Sequence, residues 1–337
     1  MGLLPYDKPT QARRTIMAKI LLIGKKNPRD YAGSKTLYAF NALTEAGLNA
    51  EVYDIHGSTD IPQGVNASIF LPWVESIDPT WAKFMKIIPG RRILYTDNWY
   101  WYDTVCGKKL AEQDIDMDSL FHVVGFASHE NARWWPKSKF QWWGALVDED
   151  LALPRKDEGY IWVDELWPKK WADGIYSSYD VLDIAIPKIK QRFGLSVLSQ
   201  APKDDDAPKP SWIDQCVPQN QEVEQMLSHL AGARAFFTAH NECLGLMQFE
   251  AMTCGVPVIT NPTMSMQETF MVPDAAHQWT WNKDDKEQDV INVEAAAERM
   301  ITAFETAMKQ DRTKIRTEAV ARYGKKAFVE RAGLALR

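Results

Sequence analysis

Apolar runs alternate with amphipathic stretches through the first half of the chain. The run AKILLIG at 18–24 is typical of a buried strand, and the pattern at 33–47 predicts a helix that stops at Gly47 and leads into a second strand. Further apolar runs predict strands at 67–73, 91–97 and 121–128. Strands that alternate with helices in this way indicate a parallel sheet covered on both faces.

The pattern restarts after a polar, irregular stretch at 145–159. Strands are predicted at 159–166, 194–200, 233–239 and 257–261, and helices at Tyr179–Phe193, 221–230, 246–254 and in the tail from 290 onward. With 337 residues and 45% hydrophobic content, the chain is long enough for two separate cores. Two α/β halves place the natural ligand site in the cleft between them.

The composition excludes several classes of protein. No run approaches the roughly 18 to 20 apolar residues of a membrane-spanning helix, and the first residues lack the apolar core of a signal peptide, so a cytoplasmic protein is expected. Four cysteines without CxxC spacing indicate reduced thiols. The net charge of −6 argues against a surface built for nonspecific nucleic-acid binding, although a local basic patch escapes this test. The histidines and acidic clusters show no metal-ligand spacing, so no metal is predicted.

Two glutamates lie eight positions apart in ECLGLMQFEAMTCGVPVI at 242–259. Glu250 lies in the predicted helix and Glu242 in the loop that enters it. The backbone amides of this loop, which includes Leu244 and Gly245, lie at the positive end of the helix dipole and suit a phosphate. Glu250 can accept hydrogen bonds from a ribose and Glu242 from a second sugar, which together describe a nucleotide sugar. The alternative is that both are solvated acids on an ordinary amphipathic helix.

This block resembles the Glu-x7-Glu signature of nucleotide-sugar glycosyltransferases of the GT-B fold. Weaker similarities occur in the family's order: PRDYAGSKT at 28–36 resembles its first glycine loop, ALVDEDLALPR its linker into the second domain, and MQETF its turn after the signature. The resemblance implies an α/β GT-B fold of two facing Rossmann-like domains. It divides the chain into an acceptor domain at 1–155 with an extension at 1–16, a nucleotide-sugar domain at 156–319, and a C-terminal helix at 320–337, which in this fold often packs back on the first domain.

The resemblance also implies the donor site. Glu250 then holds the ribose and Glu242 contacts the transferred sugar of a nucleotide-diphosphate sugar, with a UDP-sugar in first place and no required cofactor. The predicted donor-binding residues are Gly33, Lys170, His240, Leu244, Gly245, Leu246 and Glu250.

Some of these assignments have open alternatives. Glu165 lies where the family has an arginine, so half of its usual phosphate clamp is absent. Lys170 aligns with the family's lysine, and Lys169 or a residue from the first domain can supply the missing charge; the alternative is that Lys169 and Lys170 are a solvated pair at a turn. For His240 the alternative is a capping or packing role.

Glu242 and Asp97 are the two predicted catalytic residues, and Asp97 ends the predicted strand at 91–97. ILYTDNW is similar to the stretch that leads to the catalytic aspartate of phage DNA beta-glucosyltransferase. The similarity implies that Asp97 is a general base that takes the proton from an acceptor hydroxyl; the alternative is a helix cap or turn residue. Because Glu-x7-Glu favours retention and Asp97 favours inversion, the stereochemistry of transfer stays open.

Aromatic and basic residues are concentrated near this strand in the sequence. Trp99 and Trp101 follow it closely, and Arg133 and Trp134 belong to a second such cluster. Aromatic rings beside cations can stack an extruded base while holding phosphates, which predicts duplex DNA with a hydroxymethylated base as acceptor, in the host cytoplasm if a phage encodes the protein. The alternatives are a glycan, lipid or small-molecule acceptor, simple packing, or a non-catalytic nucleotide-sugar binding protein.

Overall fold

Two parallel six-stranded sheets form the framework of the chain. The structure is a computed structural model that describes residues 19–24, 33–53, 60–71, 84–96, 117–126, 139–164, 179–200, 209–218, 221–238, 245–260, 271–272, 275–278 and 292–336. In both halves, helices lie between successive strands along the chain, as expected for parallel strands, which need crossover connections.

The first sheet builds the N-terminal half. Its strands are β1 (Lys19–Ile23), β2 (Asn49–Tyr53), β3 (Val65–Phe70), β4 (Arg91–Thr96), β5 (Val123–Phe126) and β6 (Phe140–Trp142), and its helices include α1 (Ser34–Glu45) and α2 (Met117–Leu120). The spatial order is β2-β1-β3-β4-β5-β6. The chain changes direction across the sheet between β1 and β3, so the carboxyl ends of these strands form a topological switch point.

The second sheet builds the C-terminal half. Its strands are β7 (Tyr160–Val163), β8 (Ser196–Gln200), β9 (Gln215–Val217), β10 (Ala233–Phe237), β11 (Val258–Thr260) and β12 (Ala276–Gln278), and its described helices are α3 (Tyr179–Phe193), α4 (Val223–Gly232), α5 (Leu246–Thr253) and α6 (Val293–Ala307). The order β12-β11-β10-β7-β8-β9 is the Rossmann order, with its switch point between β7 and β10.

These two sheets confirm the predicted α/β fold with two Rossmann-like halves. Helix α3 has the bounds that the apolar pattern predicts. The pattern does not predict β6, β9 or β12, each of which has three residues and lies at an edge of its sheet. Three residues are too few to show a period of two, so pairing with the neighbouring strand defines these elements.

The apolar core is continuous between the two halves. One face of the C-terminal sheet, represented by Val163 and Phe237, packs in a cluster with residues of α3 and α6. The other face, represented by Trp162 and Phe236, belongs to a cluster that also contains α4, α5 and the α1 side of the N-terminal sheet. The halves therefore contact each other through buried side chains on the side of α1 and α5.

Two further helices, α7 (Arg312–Tyr323) and α8 (Lys325–Leu336), bridge the halves. Helix α7 packs on α5, and α8 packs on α1. The segment between the sheets is held by the same helices: Val147 N donates to the Tyr323 carbonyl at 2.9 Å, and Arg316 donates to the Glu149 carbonyl at 2.9 Å. No helix in the described ranges is long and apolar enough to cross a membrane.

Lys325 is the centre of an ion cluster that ties α8 to both α1 and this segment. Its Nζ lies 2.6 Å from Asp150 Oδ2 and 3.3 Å from Asp148 Oδ1, and it also pairs with Glu45 at the end of α1. Lys325 and Asp148 are buried, and Asp148 Oδ2 also accepts a hydrogen bond from Asn41 Nδ2 at 2.6 Å. Burial opposes the charged form, but the hydrogen bonds to Asp150 and Glu45 raise the pKa of Lys325 above its ordinary value.

Candidate functional site

Buried polar residues follow one another across the carboxyl edge of the C-terminal sheet. The registers of β7, β10 and β11 place Asp164, Thr238 and Thr260 side by side, and we call these three residues the polar row. The ladder continues into it, since Asp164 N donates to the Phe237 carbonyl at 2.8 Å and Thr238 N to the Ile259 carbonyl at 3.0 Å. All three side chains of the row are buried. The row lies at the switch point, where open α/β sheets bind their ligands.

The polar row faces the layer that contains α5. Side chains alternate along a strand, so Thr238 shares the face of Phe236, which lies in the same apolar cluster as Phe249 of α5. Thr238 Oγ1 is buried and has no hydrogen-bond partner among the described residues. Because burying a hydroxyl without a partner costs free energy, this hydroxyl is a candidate contact for a ligand.

Helix α5 begins at the same edge of the sheet. Gly245 is its N-cap, with φ −70° and ψ 103°, and no side chain caps the helix. The amides of the first turn, starting at Leu246, therefore lie at the positive end of the helix dipole without a side-chain acceptor. Gly245 and Leu246 are brought to the switch point, and their binding of a phosphate stays a prediction.

Helix α1 begins in a similar way in the N-terminal half. Gly33 is its N-cap and no side chain caps the helix. The helix follows β1, whose carboxyl end lies at the switch point of the N-terminal sheet. Both predicted glycines, Gly33 and Gly245, thus start helices that follow switch-point strands.

Glu250 lies in the second turn of α5 and contacts the other half. Its side chain is 0% exposed, and its Oε1 accepts a hydrogen bond from Tyr38 Oη of α1 at 2.6 Å. Tyr38 is also 0% exposed. The alternative that Glu250 is a solvated surface acid is therefore wrong, and its predicted role toward a ribose stays a prediction.

The charge of Glu250 acts on two neighbouring groups. Burial and then the charge of Glu250 raise the pKa of Tyr38 well above its ordinary value, so Tyr38 remains a neutral hydrogen-bond donor. The same two causes raise the pKa of the Cys254 thiol to about 12. Cys254 is therefore a protonated, buried packing residue and not a nucleophile.

The other predicted site residues lie outside the described part of the chain. They are Asp97, Trp99, Trp101, Arg133, Trp134, Lys170, His240, Glu242 and Leu244. In sequence, Asp97 follows the last residue of β4, and His240 follows Thr238 by two positions. Their roles stay predictions. Within the described ranges, no three potential metal ligands lie close enough to hold an ion.

The local sequence patterns do not point to the polar row or to Tyr38. Asp164 and Thr238 do carry a signal, because each is the first polar residue after a buried strand that borders the switch point of a Rossmann order. Tyr38 has no comparable signal. In the sequence it is one aromatic residue within an amphipathic helix, and only the packing of the two halves brings it to Glu250.

Comparisons with solved structures extend over nearly the whole chain. A sucrose-phosphate synthase from Thermosynechococcus elongatus is 14% identical with a TM-score of 0.62, covering 94% of this chain and 98% of that one. Anabaena HepE in complex with UDP and glucose is 11% identical with a TM-score of 0.62, covering 95% and 99%. An alpha-glucosyltransferase in complex with UDP and a 13-mer DNA containing an HMU base is 10% identical with a TM-score of 0.59, covering 95% and 99%. No protein-family model and no curated protein matches the sequence.

These likenesses show that the chain has the GT-B fold of two Rossmann-like domains, as predicted. Identities of 10–14% show the fold alone. One fold hosts several reactions, so the function has to be argued from the residues at the switch point.

Proposed function

We propose that this chain is a glycosyltransferase that moves a sugar from a nucleotide-diphosphate sugar to an acceptor hydroxyl. The first candidate for the donor is a UDP-sugar. The observation that carries the proposal is the position of the Glu-x7-Glu helix: α5 starts at the switch point without a side-chain cap, and Glu250 is buried one turn further on. A phosphate at this helix start and a ribose beside Glu250 are neighbouring groups of one nucleotide.

The polar row supports the same donor site. Thr238 directly follows β10, and the chain continues within four residues to Glu242, which we propose contacts the transferred sugar. Hydroxyl and carboxylate groups such as those of Thr238 and Asp164 match the many hydroxyls of a sugar. Two of the three solved structures compared above contain UDP, one of them together with glucose, and this favours a uridine nucleotide.

For the acceptor we propose a hydroxymethylated base in duplex DNA. The support is the pattern of Trp99, Trp101, Arg133 and Trp134, which suits an extruded base and its phosphates, and the HMU-containing DNA in the alpha-glucosyltransferase complex. A sucrose-phosphate synthase has the same fold, so a glycan, lipid or small-molecule hydroxyl is the alternative acceptor.

A non-catalytic nucleotide-sugar binding protein is the second candidate function. Its support is Glu165, which lies where the family resemblance expects an arginine for the diphosphate. Such a protein binds the donor and shows no turnover, so the two functions are separated by an activity measurement.

Two successive experiments test the proposed donor and then the proposed acceptor. Melting of the protein is measured with UDP-, GDP- and ADP-sugars, and a UDP-sugar at 100 times its Kd is expected to add about 2.7 kcal/mol to the stability of the folded state. Any stabilising donor is then incubated with duplex DNA that carries either hydroxymethylated or unmodified bases. We expect sugar transfer to the hydroxymethylated duplex alone.

The remaining outcomes decide between the alternatives. Stabilisation without transfer to DNA, followed by transfer to a glycan or small molecule, contradicts the DNA acceptor and keeps the glycosyltransferase. Stabilisation without turnover on any acceptor supports the binding protein, and a chain that no nucleotide sugar stabilises contradicts both functions.

Replacing Asp97 with asparagine is expected to lower kcat about 100-fold with little change in the Kd for UDP, because general base catalysis contributes about 10²–10⁴-fold. The measurement is steady-state kinetics together with calorimetric binding of UDP. An unchanged kcat contradicts the base role and favours proton transfer to the leaving phosphate. If Glu242→Ala also leaves turnover unchanged, the proposed catalytic pair is wrong.

A further inference from the structure

The hydrogen bond between Tyr38 and Glu250 joins residues 212 positions apart in the chain and in opposite halves. The Oη to Oε1 distance of 2.6 Å lies within the range of O–H···O hydrogen bonds, and such a bond to an ionised carboxylate is about twice as strong as a neutral one. Both side chains are 0% exposed. This bond therefore exists only while the two halves are packed together.

The position of the bond relates it to the proposed donor site. Tyr38 is the fifth residue of α1 and Glu250 the fifth of α5, and both helices start from a glycine N-cap without a side-chain cap. Each side chain thus lies one helical turn, about 6 Å along the axis, behind a helix start that follows a switch-point strand. In a nucleoside diphosphate, the ribose lies next to the phosphates at a comparable spacing.

The bond also fixes the carboxylate. A carboxylate offers about four acceptor positions, so one oxygen can bind Tyr38 while the group also accepts hydrogen bonds from ribose hydroxyls. Without the Tyr38 hydroxyl, the buried carboxylate loses one of the hydrogen bonds that hold its orientation. A ligand hydroxyl then meets a carboxylate that it has to order itself, which weakens binding.

We propose that Tyr38 is a positioning residue of the donor site, which reaches across from the N-terminal half and orients the Glu250 carboxylate toward the ribose hydroxyls of the donor nucleotide. This inference rests on the proposed function, because it assumes that Glu250 faces a ribose. It adds that donor affinity depends on a residue of the half that the resemblance assigns to the acceptor.

The test measures the Kd of UDP and of 2′,3′-dideoxy-UDP by calorimetry for the wild type and Tyr38→Phe. Loss of one hydrogen bond to a charged group is expected to weaken UDP binding about tenfold. Binding of 2′,3′-dideoxy-UDP is expected to change less than about twofold, because the ribose hydroxyls that Glu250 accepts are already absent. If Tyr38 has only a packing role, Tyr38→Phe weakens the binding of both ligands equally.

Tyr160→Phe is the matched control. Tyr160 is buried in the C-terminal half, and its Oη donates to the His229 carbonyl at 2.6 Å, but it begins β7 at the opposite end from the polar row. We expect this variant to bind both nucleotides as the wild type does. In a Glu250→Gln background, Tyr38→Phe is expected to add less than about twofold, because the two residues act through one interaction.

Several results overturn the inference. Equal weakening of both nucleotides, unchanged binding of UDP, or tighter binding of UDP by Tyr38→Phe each contradicts a positioning role toward the ribose. If the wild type and Tyr38→Phe bind UDP with the same Kd, this inference is refuted and the proposed donor is kept. A wild type that binds no nucleoside diphosphate refutes the proposed function and this inference with it.

Discussion

Replacing Glu250 with alanine is expected to lower kcat/KM for the donor about 1000-fold. If the carboxylate accepts two ribose hydroxyls, each hydrogen bond to a charged group contributes about 1.5–3 kcal/mol, and about 4 kcal/mol corresponds to three factors of ten in rate. Most of the loss is expected in KM, because the ribose is bound in the ground state as well as the transition state. Steady-state kinetics with varied donor concentration measures the division between KM and kcat.

The alanine variant also removes the acceptor of Tyr38, and an unpaired buried hydroxyl costs about 1–3 kcal/mol of stability. Glu250→Gln keeps an acceptor oxygen for Tyr38 and removes the charge, so it separates donor binding from folding. Glu330→Ala is the control on an exposed position of α8 and is expected to stay within about twofold of the wild type. If both Glu250 variants fold and keep the wild-type kcat/KM, Glu250 is not a donor ligand.

The sequence predicts the longer elements well because their patterns are long and locally bounded. Helix α3 shows fifteen residues of apolar repeat, with Asp180 in its first turn, Lys190 and Arg192 in its last, and Gly194 at φ 64° directly after it. The edge strands β9 and β12 have three residues each and carry no such information. Their conformation is decided by pairing with β8 and β11, which only the folded sheet provides.

The candidate site likewise contains residues that local spacing predicts and residues that depend on long-range contacts. The start of α5 at Leu246 and the place of Glu250 within it follow from local spacing, and the structure shows both. The register that aligns Asp164 with Thr238 joins strands more than seventy residues apart, and the Tyr38 contact depends on how the halves pack. Local sequence patterns do not encode such long-range contacts. These residues can therefore be assigned to the site only from the three-dimensional structure.

Replacing Lys325 with methionine is expected to lower the free energy of unfolding by about 3 kcal/mol, because removing one partner of a buried ion pair leaves the other charge uncompensated. Asp148 is that partner, with 1% exposure and its Oδ1 3.3 Å from Lys325 Nζ. Asp148 lies in the segment between the sheets, so the loss acts where α8 joins the halves. Urea denaturation measures the change, and Lys326→Met, on the exposed neighbouring position, is expected to stay within about 0.5 kcal/mol of the wild type.

The pH dependence separates the charge of Lys325 from its packing. Its folded-state pKa is raised above the ordinary value of 10.5, so the charge contributes its full stability below pH 10.5 and loses it as the pH rises through the folded-state pKa. The difference in unfolding free energy between the wild type and Lys325→Met is therefore expected to be constant from pH 7 to 10 and to shrink above 10.5. A difference that stays constant at higher pH contradicts the electrostatic origin and assigns the loss to packing of the side chain. A variant as stable as Lys326→Met shows that the cluster does not hold α8 to the two halves.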